Sequence, residues 1–276
     1  MTQHSVKIND ELTLAYEMAG EGAQDILMLP GWTMSTRVFE HQLAFFENSD
    51  RFRFITFDPR AHGRSSKTEN GHFYAQHGRD LNAFVEALGL KNFILGGWSF
   101  GTLAVLSYVN QFGSDRLDGL LMLDGPPRAS GVDNQNEWVT YRYDDADGSN
   151  QFFTYSRLEN VEHCLREFGA WMLEAVTEER LEWISRISLE TPATAAALLN
   201  ASAAGLDYDR DLQQLEGKIP LCYVMCESRR RVAENWKAEY TPSARVEGFG
   251  EHLMFWERPD QFNRVLQSFA ESCIRE

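Results

Sequence analysis

The sequence predicts an α/β protein: a mostly parallel, doubly wound sheet broken by a helical insertion. Three observations carry this reading. Short, wholly apolar runs alternate with segments of helical period through the first half of the chain and again near its end. The alternation stops at Pro127 and resumes at Ile219, with aromatic-rich helical segments in between. One apolar run, 92–96, passes through a glycine-flanked turn directly into a further apolar segment of helical length, 102–109.

Taken in order, residues 6–18 alternate apolar and polar, as at Leu12, Leu14 and Tyr16. They predict a hairpin at a sheet edge, with Asn9-Asp10 in its turn. Residues 26–29 are a fully apolar strand that breaks at Pro30-Gly31-Trp32. A helix over 36–47 follows from the spacing of Val38, Phe39, Leu43 and Phe46. The strand 52–57 closes at Asp58-Pro59-Arg60-Ala61-His62-Gly63-Arg64-Ser65. A helix over 80–88 carries Leu81, Phe84, Val85 and Leu88 on one side, and Gly89 stops it. The strand 117–123 ends at Asp124-Gly125-Pro126-Pro127.

Residues 128–215 contain no convincing buried strand. Helical spacing appears at Phe168, Trp171, Met172 and Ala175, and again at Leu181, Ile184, Ile187 and Ser188. The polar stretch 144–150 is a loop, and it lacks the terminal bidentate carboxylate of a calcium loop. The sheet resumes at 219–225. It continues with a helix over 232–240, a short strand at 244–247, and a closing helix with Phe255, Phe262, Val265, Leu266 and Phe269 inside. The division expected is core 1–127, helical cap 128–215 and core 216–276.

Composition narrows the partners. The chain has 276 residues, 43% of them hydrophobic, enough for one large core without staples. Its formal charge of −15 argues against nucleic acid or an anionic membrane and leaves a small molecule as the expected partner. No apolar stretch is long enough to span a bilayer, and the first residues lack a signal-peptide pattern, so cytoplasm is the default. Of the four cysteines, Cys222 and Cys226 lie in an apolar run and read as buried thiols. No ligand cluster suggests a metal, and no cofactor is implied.

The chemistry centres on Gly97-Trp98-Ser99-Phe100-Gly101. A sharp strand-to-helix turn strains its central residue and needs small neighbours, which Gly97 and Gly101 supply. Ser99 would then stand clear above the sheet edge, over a helix N-terminus whose free N–H groups suit a developing oxyanion. Read alone, the five residues fit equally a glycine-rich turn with a capping serine.

With the other segments in order, the chain resembles the α/β-hydrolase superfamily over nearly its whole length. Pro30-Gly31-Trp32 looks like that fold's oxyanion loop. The segment from Asp58 to Ser65 is similar to its D-x-R-G-H-G-x-S pattern, with Ala61 for the usual Gly. Gly97 to Gly101 looks like the nucleophile elbow, and Phe249 to Pro259 like the terminal histidine segment, with Trp256-Glu257-Arg258-Pro259 starting the closing helix. The resemblance implies Ser99 as nucleophile, His252 as its base, and the backbone N–H groups of Trp32 and Phe100 as oxyanion donors. The rings of Trp32 and Trp98 serve either ordinary packing or the wall of an aromatic substrate pocket, and Trp138 and Trp171 are cap candidates for the same wall. His62 takes a structural role. His41, His72, His77 and His163 have no motif support and read as surface residues.

The match departs at the acid. After the strand 219–225 the family usually carries G-x-x-D, where this chain has Cys226-Glu227-Ser228-Arg229. The other position that the family uses is the end of the preceding strand, so the resemblance implies Asp124 as the acid, with Glu227 in reserve. Arg229-Arg230-Arg231 reads as a solvated turn. An acid at this earlier strand also resembles the cofactor-free 2,4-dioxygenases of 3-hydroxy-4-quinolones. Those typically have His where this chain has Trp98 and Met34. The function expected is hydrolysis of a small carboxylic ester or a related acyl or lactone substrate. The alternatives are that dioxygenation and a small-molecule receptor built on the same fold.

Overall fold

The computed structural model describes residues 2–143 and 149–274. Strands β1 (Thr2–Lys7) and β2 (Thr13–Ala19) form the expected antiparallel hairpin. They lead into β3 (Gln24–Leu29), β4 (Phe52–Phe57), β5 (Phe93–Trp98) and β6 (Leu117–Leu123). After two short pieces, β7 (Ser130–Gly131) and β8 (Tyr141–Arg142), the main sheet resumes with β9 (Leu221–Met225) and β10 (Arg245–Gly248). The eight-stranded sheet has the order β1-β2-β4-β3-β5-β6-β9-β10. Its pairs are parallel from β4 to β10, and antiparallel only where β2 meets β1 and β4. The two central strands β5 and β6 are buried at every residue, which explains a sequence that is apolar apart from Asp118 near the start of β6.

Five helices flank the sheet: α1 (Glu40–Phe46), α2 (Tyr74–Leu88), α3 (Gly101–Phe112), α9 (Glu227–Tyr240) and α11 (Pro259–Cys273). Gly89 ends α2 in the left-handed conformation, φ 66°, as its position predicts. The helix nonetheless starts six residues before the expected residue 80. Its first turns carry Tyr74, His77 and Gly78, too polar and small to register as an apolar stripe. A Cβ on Gly78 would lie 2.6 Å from the Ser107 hydroxyl, so this glycine lets α2 press against α3. Likewise α9 begins at Glu227, so the arginine run read as a turn lies within a helix.

Between β6 and β9 lie α4 (Ser149–Glu159), α5 (Val161–Met172), α6 (Glu178–Leu189), α7 (Ala193–Ala203) and α8 (Asp209–Gln213). A four-residue helix, α10 (Met254–Glu257), precedes α11. Leu181, Ile184, Ile187 and Ser188 form the buried face of α6, as their spacing predicts. Ala175 lies beyond the end of α5 rather than on it. Residues 144–148 of the polar loop lie outside the described residues. All four cysteines are free and buried, and burial pushes the Cys222 and Cys226 thiols up to about 12. No helix among the described residues is long and apolar enough to cross a membrane.

Candidate active site

The site is assembled where β3, β5 and β6 end. Among the described residues, three of the five non-glycine positions with positive φ stand at or just beyond those ends: Thr33 at 59°, Ser99 at 54° and Asp124 at 44°. Such strain persists only where the surroundings impose it. At Ser99 they do so closely. A Cβ on Gly97 would lie 2.6 Å from the Gly101 carbonyl, and one on Gly31 would lie 2.9 Å from the Ser99 Cβ. The Ser99 N–H donates to the Leu123 carbonyl at 2.8 Å, and the Thr102 hydroxyl donates to the Ser99 carbonyl at 2.6 Å. The backbone is thus held on both sides, while the serine remains half-buried at the cavity wall.

Asp124 is pinned by its own N–H, which donates to the Val224 carbonyl at 2.7 Å. Its Oδ1 accepts from the Cys226 N–H at 2.9 Å, and Cys226 is the N-cap of α9. The carboxylate therefore sits at a helix N-terminus, where the backbone dipole favours negative charge. Its Oδ2 lies 2.6 Å from His252 Nδ1, with both side chains buried. The far nitrogen, His252 Nε2, is buried and has no hydrogen-bond partner among the described residues. Glu227, the reserve acid, is exposed at the start of α9. Its N–H donates to the Gly250 carbonyl at 3.0 Å, and its side chain does not line the cavity.

The loop after β3 is held from two directions. The Trp32 indole N–H donates to the Ala196 carbonyl of α7 at 2.7 Å, and the Ser188 hydroxyl of α6 donates to that of Thr33 at 2.7 Å. From below, the Thr33 N–H donates to His62 Nε2 at 3.1 Å, while His62 Nδ1 donates to the Arg60 carbonyl at 2.8 Å. Burial lowers the His62 pKa to about 4, so the ring is neutral and its tautomer is set by that carbonyl. This is the structural role expected for it. The Trp32 and Phe100 backbone N–H groups donate to nothing among the described residues. Ala61, where the resembled pattern has Gly, adopts φ 63°, the conformation that favours glycine.

One cavity of about 640 Å³ unites these groups: Ser99, Asp124, His252, Trp32 and Phe100 all line it. Trp138 and Trp171 line it too, and the Trp171 ring lies 4.3 Å from that of His252. Trp98 does not. It is 1% exposed beneath the site, where its ring packs 5.2 Å from His252 and its N–H donates to the His252 carbonyl at 2.9 Å. Trp98 follows Gly97 on a strand buried on both faces, so its ring packs inside the fold rather than in the pocket.

Two histidines expected at the surface are buried as well, His72 and His77. The early start of α2 puts His77 one turn before Leu81 on the inward side, 5.7 Å from His62 and 5.7 Å from Tyr74. Burial, reinforced by nearby His62 and Arg60, keeps His77 well below the usual histidine range. His41 is half-buried with its ring 5.9 Å from Trp256, and His163 is exposed.

Sequence reasoning missed several residues around the cavity. Tyr141, Asn200 and Arg229 line it, and the Tyr141 hydroxyl donates to Asn200 Oδ1 at 2.8 Å. Glu257 lies outside it but fastens the histidine loop. Its carboxylate accepts from the N–H groups of Glu174 at 2.8 Å and Ala175 at 3.1 Å, just past α5, while the Leu253 N–H donates to the Met172 carbonyl at 2.9 Å. The only sequence signal for Glu257 was its place before Arg258-Pro259.

Comparison with known proteins bears on the family and the fold. AB hydrolase superfamily protein YisY of Bacillus subtilis (strain 168) is 24% identical over 280 residues, spanning 98% of this chain and 99% of that one. The pimeloyl-acyl-carrier-protein methyl ester esterase of Pectobacterium carotovorum is 26% identical over 278 residues, covering 94% and 99%. Among solved structures, a bromoperoxidase from Bacillus anthracis superposes with a TM-score of 0.86 at 23% identity, covering 98% of this chain and 100% of that one. The esterase EaEST from Exiguobacterium antarcticum gives 0.83 at 20% identity, covering 98% and 100%. The family model described as alpha/beta hydrolase fold matches residues 26–181, more than half of the sequence, and the chain belongs to that family.

Proposed function

We propose that the protein is a serine hydrolase that cleaves a small carboxylic ester through an acyl-enzyme. The observation that carries this reading is the 2.6 Å contact between Asp124 and His252 Nδ1, which leaves Nε2 free beside a cavity that Ser99 lines. Asp124 fixes the tautomer with the proton on Nδ1, so Nε2 is the basic nitrogen. As the Ser99 oxygen attacks the ester carbonyl, Nε2 takes its proton. The N–H groups of Trp32 and Phe100 hold the oxyanion, and Asp124 stabilises the imidazolium. The proton then passes to the leaving alcohol, and the acyl group stays on Ser99. Water attacks that acyl-enzyme with His252 again as base, which releases the carboxylic acid and restores the serine.

The methyl ester esterase named among the relatives supports ester chemistry, while the cavity's aromatic walls suit an apolar acyl or aromatic group. We read the helices between β6 and β9 as the cap that selects this group. The test is labelling by a fluorophosphonate probe together with turnover of p-nitrophenyl butyrate. Wild-type protein should show both and Ser99→Ala neither. Labelling that persists in Ser99→Ala would remove Ser99 from the role, and stoichiometric binding without turnover would mark a receptor instead.

A further inference from the structure

Arg229 stands where the resemblance led us to expect an acid, yet Asp124 makes the contact with His252. The guanidinium is only half-exposed, in the first turn of α9, and it donates to three main-chain carbonyls of one segment. These are Asn134, Glu137 at 3.3 Å and Val139 at 2.7 Å. Residues 134–139 are a run of turns and bends with no ladder to hold them, and Asn134, Trp138 and Val139 line the cavity. A planar arginine fork can hold several carbonyls at a set spacing, which a single ammonium cannot reproduce.

A second hold comes from the same helix. Trp236 follows Arg229 by seven residues, so both lie on one face of α9 with the buried Val232 and Ala233. The Trp236 ring lies 5.3 Å from that of Trp138, and Tyr223 of β9 packs 4.9 Å from the same ring. The wall is therefore fastened to α9 through its backbone by Arg229 and through its side chain by Trp236.

We propose that Arg229 is a positioning residue that determines specificity: by clamping the carbonyls of Asn134, Glu137 and Val139, it sets where Trp138 and Val139 stand and so which substrate group the cavity admits. This rests on the ester-hydrolase reading of the cavity. The guanidinium also lies within electrostatic reach of Asp124, so the clamp must be separated from the charge. Arg229→Met removes both, and Arg229→Lys keeps the charge but loses the fork.

The experiment measures amide exchange of residues 132–140 and kcat/KM on p-nitrophenyl acetate and hexanoate. In both variants, exchange should quicken severalfold. The hexanoate-to-acetate ratio should shift by about tenfold, carried mainly by KM. A folded variant with wild-type exchange and a ratio unchanged within about twofold would overturn the proposal. So would a shift in Arg229→Met that Arg229→Lys fully restores, because that would assign the residue to the charge of Asp124. If the wild-type protein turned over no ester, the hydrolase reading would fall and the specificity role with it, while exchange would still report the clamp.

Discussion

At the scale of single residues, Asp124 combines a strained backbone with a charged contact. Its φ of 44° is one that asparagine tolerates as readily, so Asp124→Asn should keep the fold while losing the anion. In a Ser-His-Asp triad loss of that anion lowers kcat by about 10⁴, and on the proposed mechanism the same fall is expected here on a p-nitrophenyl ester. Glu227→Gln should change kcat by much less than about tenfold, since its side chain is exposed and away from the cavity. The reverse ranking in two folded variants would move the acid. His62 and His77 set a second expectation. Both are buried and neutral, His62 near 4 and His77 well below the usual range, whereas in the unfolded chain they titrate near 6.5. Between those values the unfolded state binds more protons at these two rings, so their contribution to stability falls as pH drops from about 6.5 towards 4. The His62 shift alone corresponds to on the order of 3 kcal/mol once titration is complete. Urea unfolding at pH 7, 6 and 5 measures the slope, and His77→Phe should flatten it.

At the scale of elements, α5 brings Trp171 over His252 while leaving that ring 53% exposed. Its removal therefore costs little buried surface. Trp171→Ala should shift the preferred acyl chain length more than it shifts the melting temperature, as read from a p-nitrophenyl ester series and a thermal scan. Equal selectivity with lower stability would make α5 scaffold. The core strands and the inner face of α6 were legible in the sequence because burial on one or both faces writes itself as period and apolarity. Ser99, Asp124 and His252 were picked out through the family resemblance of the segments that carry them, and the structure brings all three to one cavity. The start of α2 was not, because its inward face is made of Tyr74 and His77, and polar residues buried by tertiary contact carry no hydrophobic signal. Trp98 was misplaced for a related reason: alternation along a strand buried on both faces does not say which neighbour reaches the cavity. Arg229 was read as solvated because a charge is ordinarily at the surface, and only the three-dimensional course of residues 134–139 brings carbonyls to it.

At the scale of the whole molecule, the excess of 41 acidic over 26 basic residues is joined at the cavity by Glu167 and Glu251, both exposed among its lining residues. The field should repel anionic substrates. For an ester bearing a free carboxylate, kcat/KM should rise severalfold as ionic strength goes from about 10 to 200 mM, while a neutral ester shows little change. Equal salt dependence for the two would mean that the local field is not felt at the site. The bond from the Trp32 indole to Ala196, with that from Ser188 to Thr33, has a further consequence for protein engineering. The inserted helices cannot be exchanged as an independent module. A chimera carrying another relative's insertion would leave the loop after β3 without its upper supports, unless the graft also offers a carbonyl and a hydroxyl at those two places. Shuffling boundaries should therefore be drawn to keep 31–34 and 188–196 from the same parent.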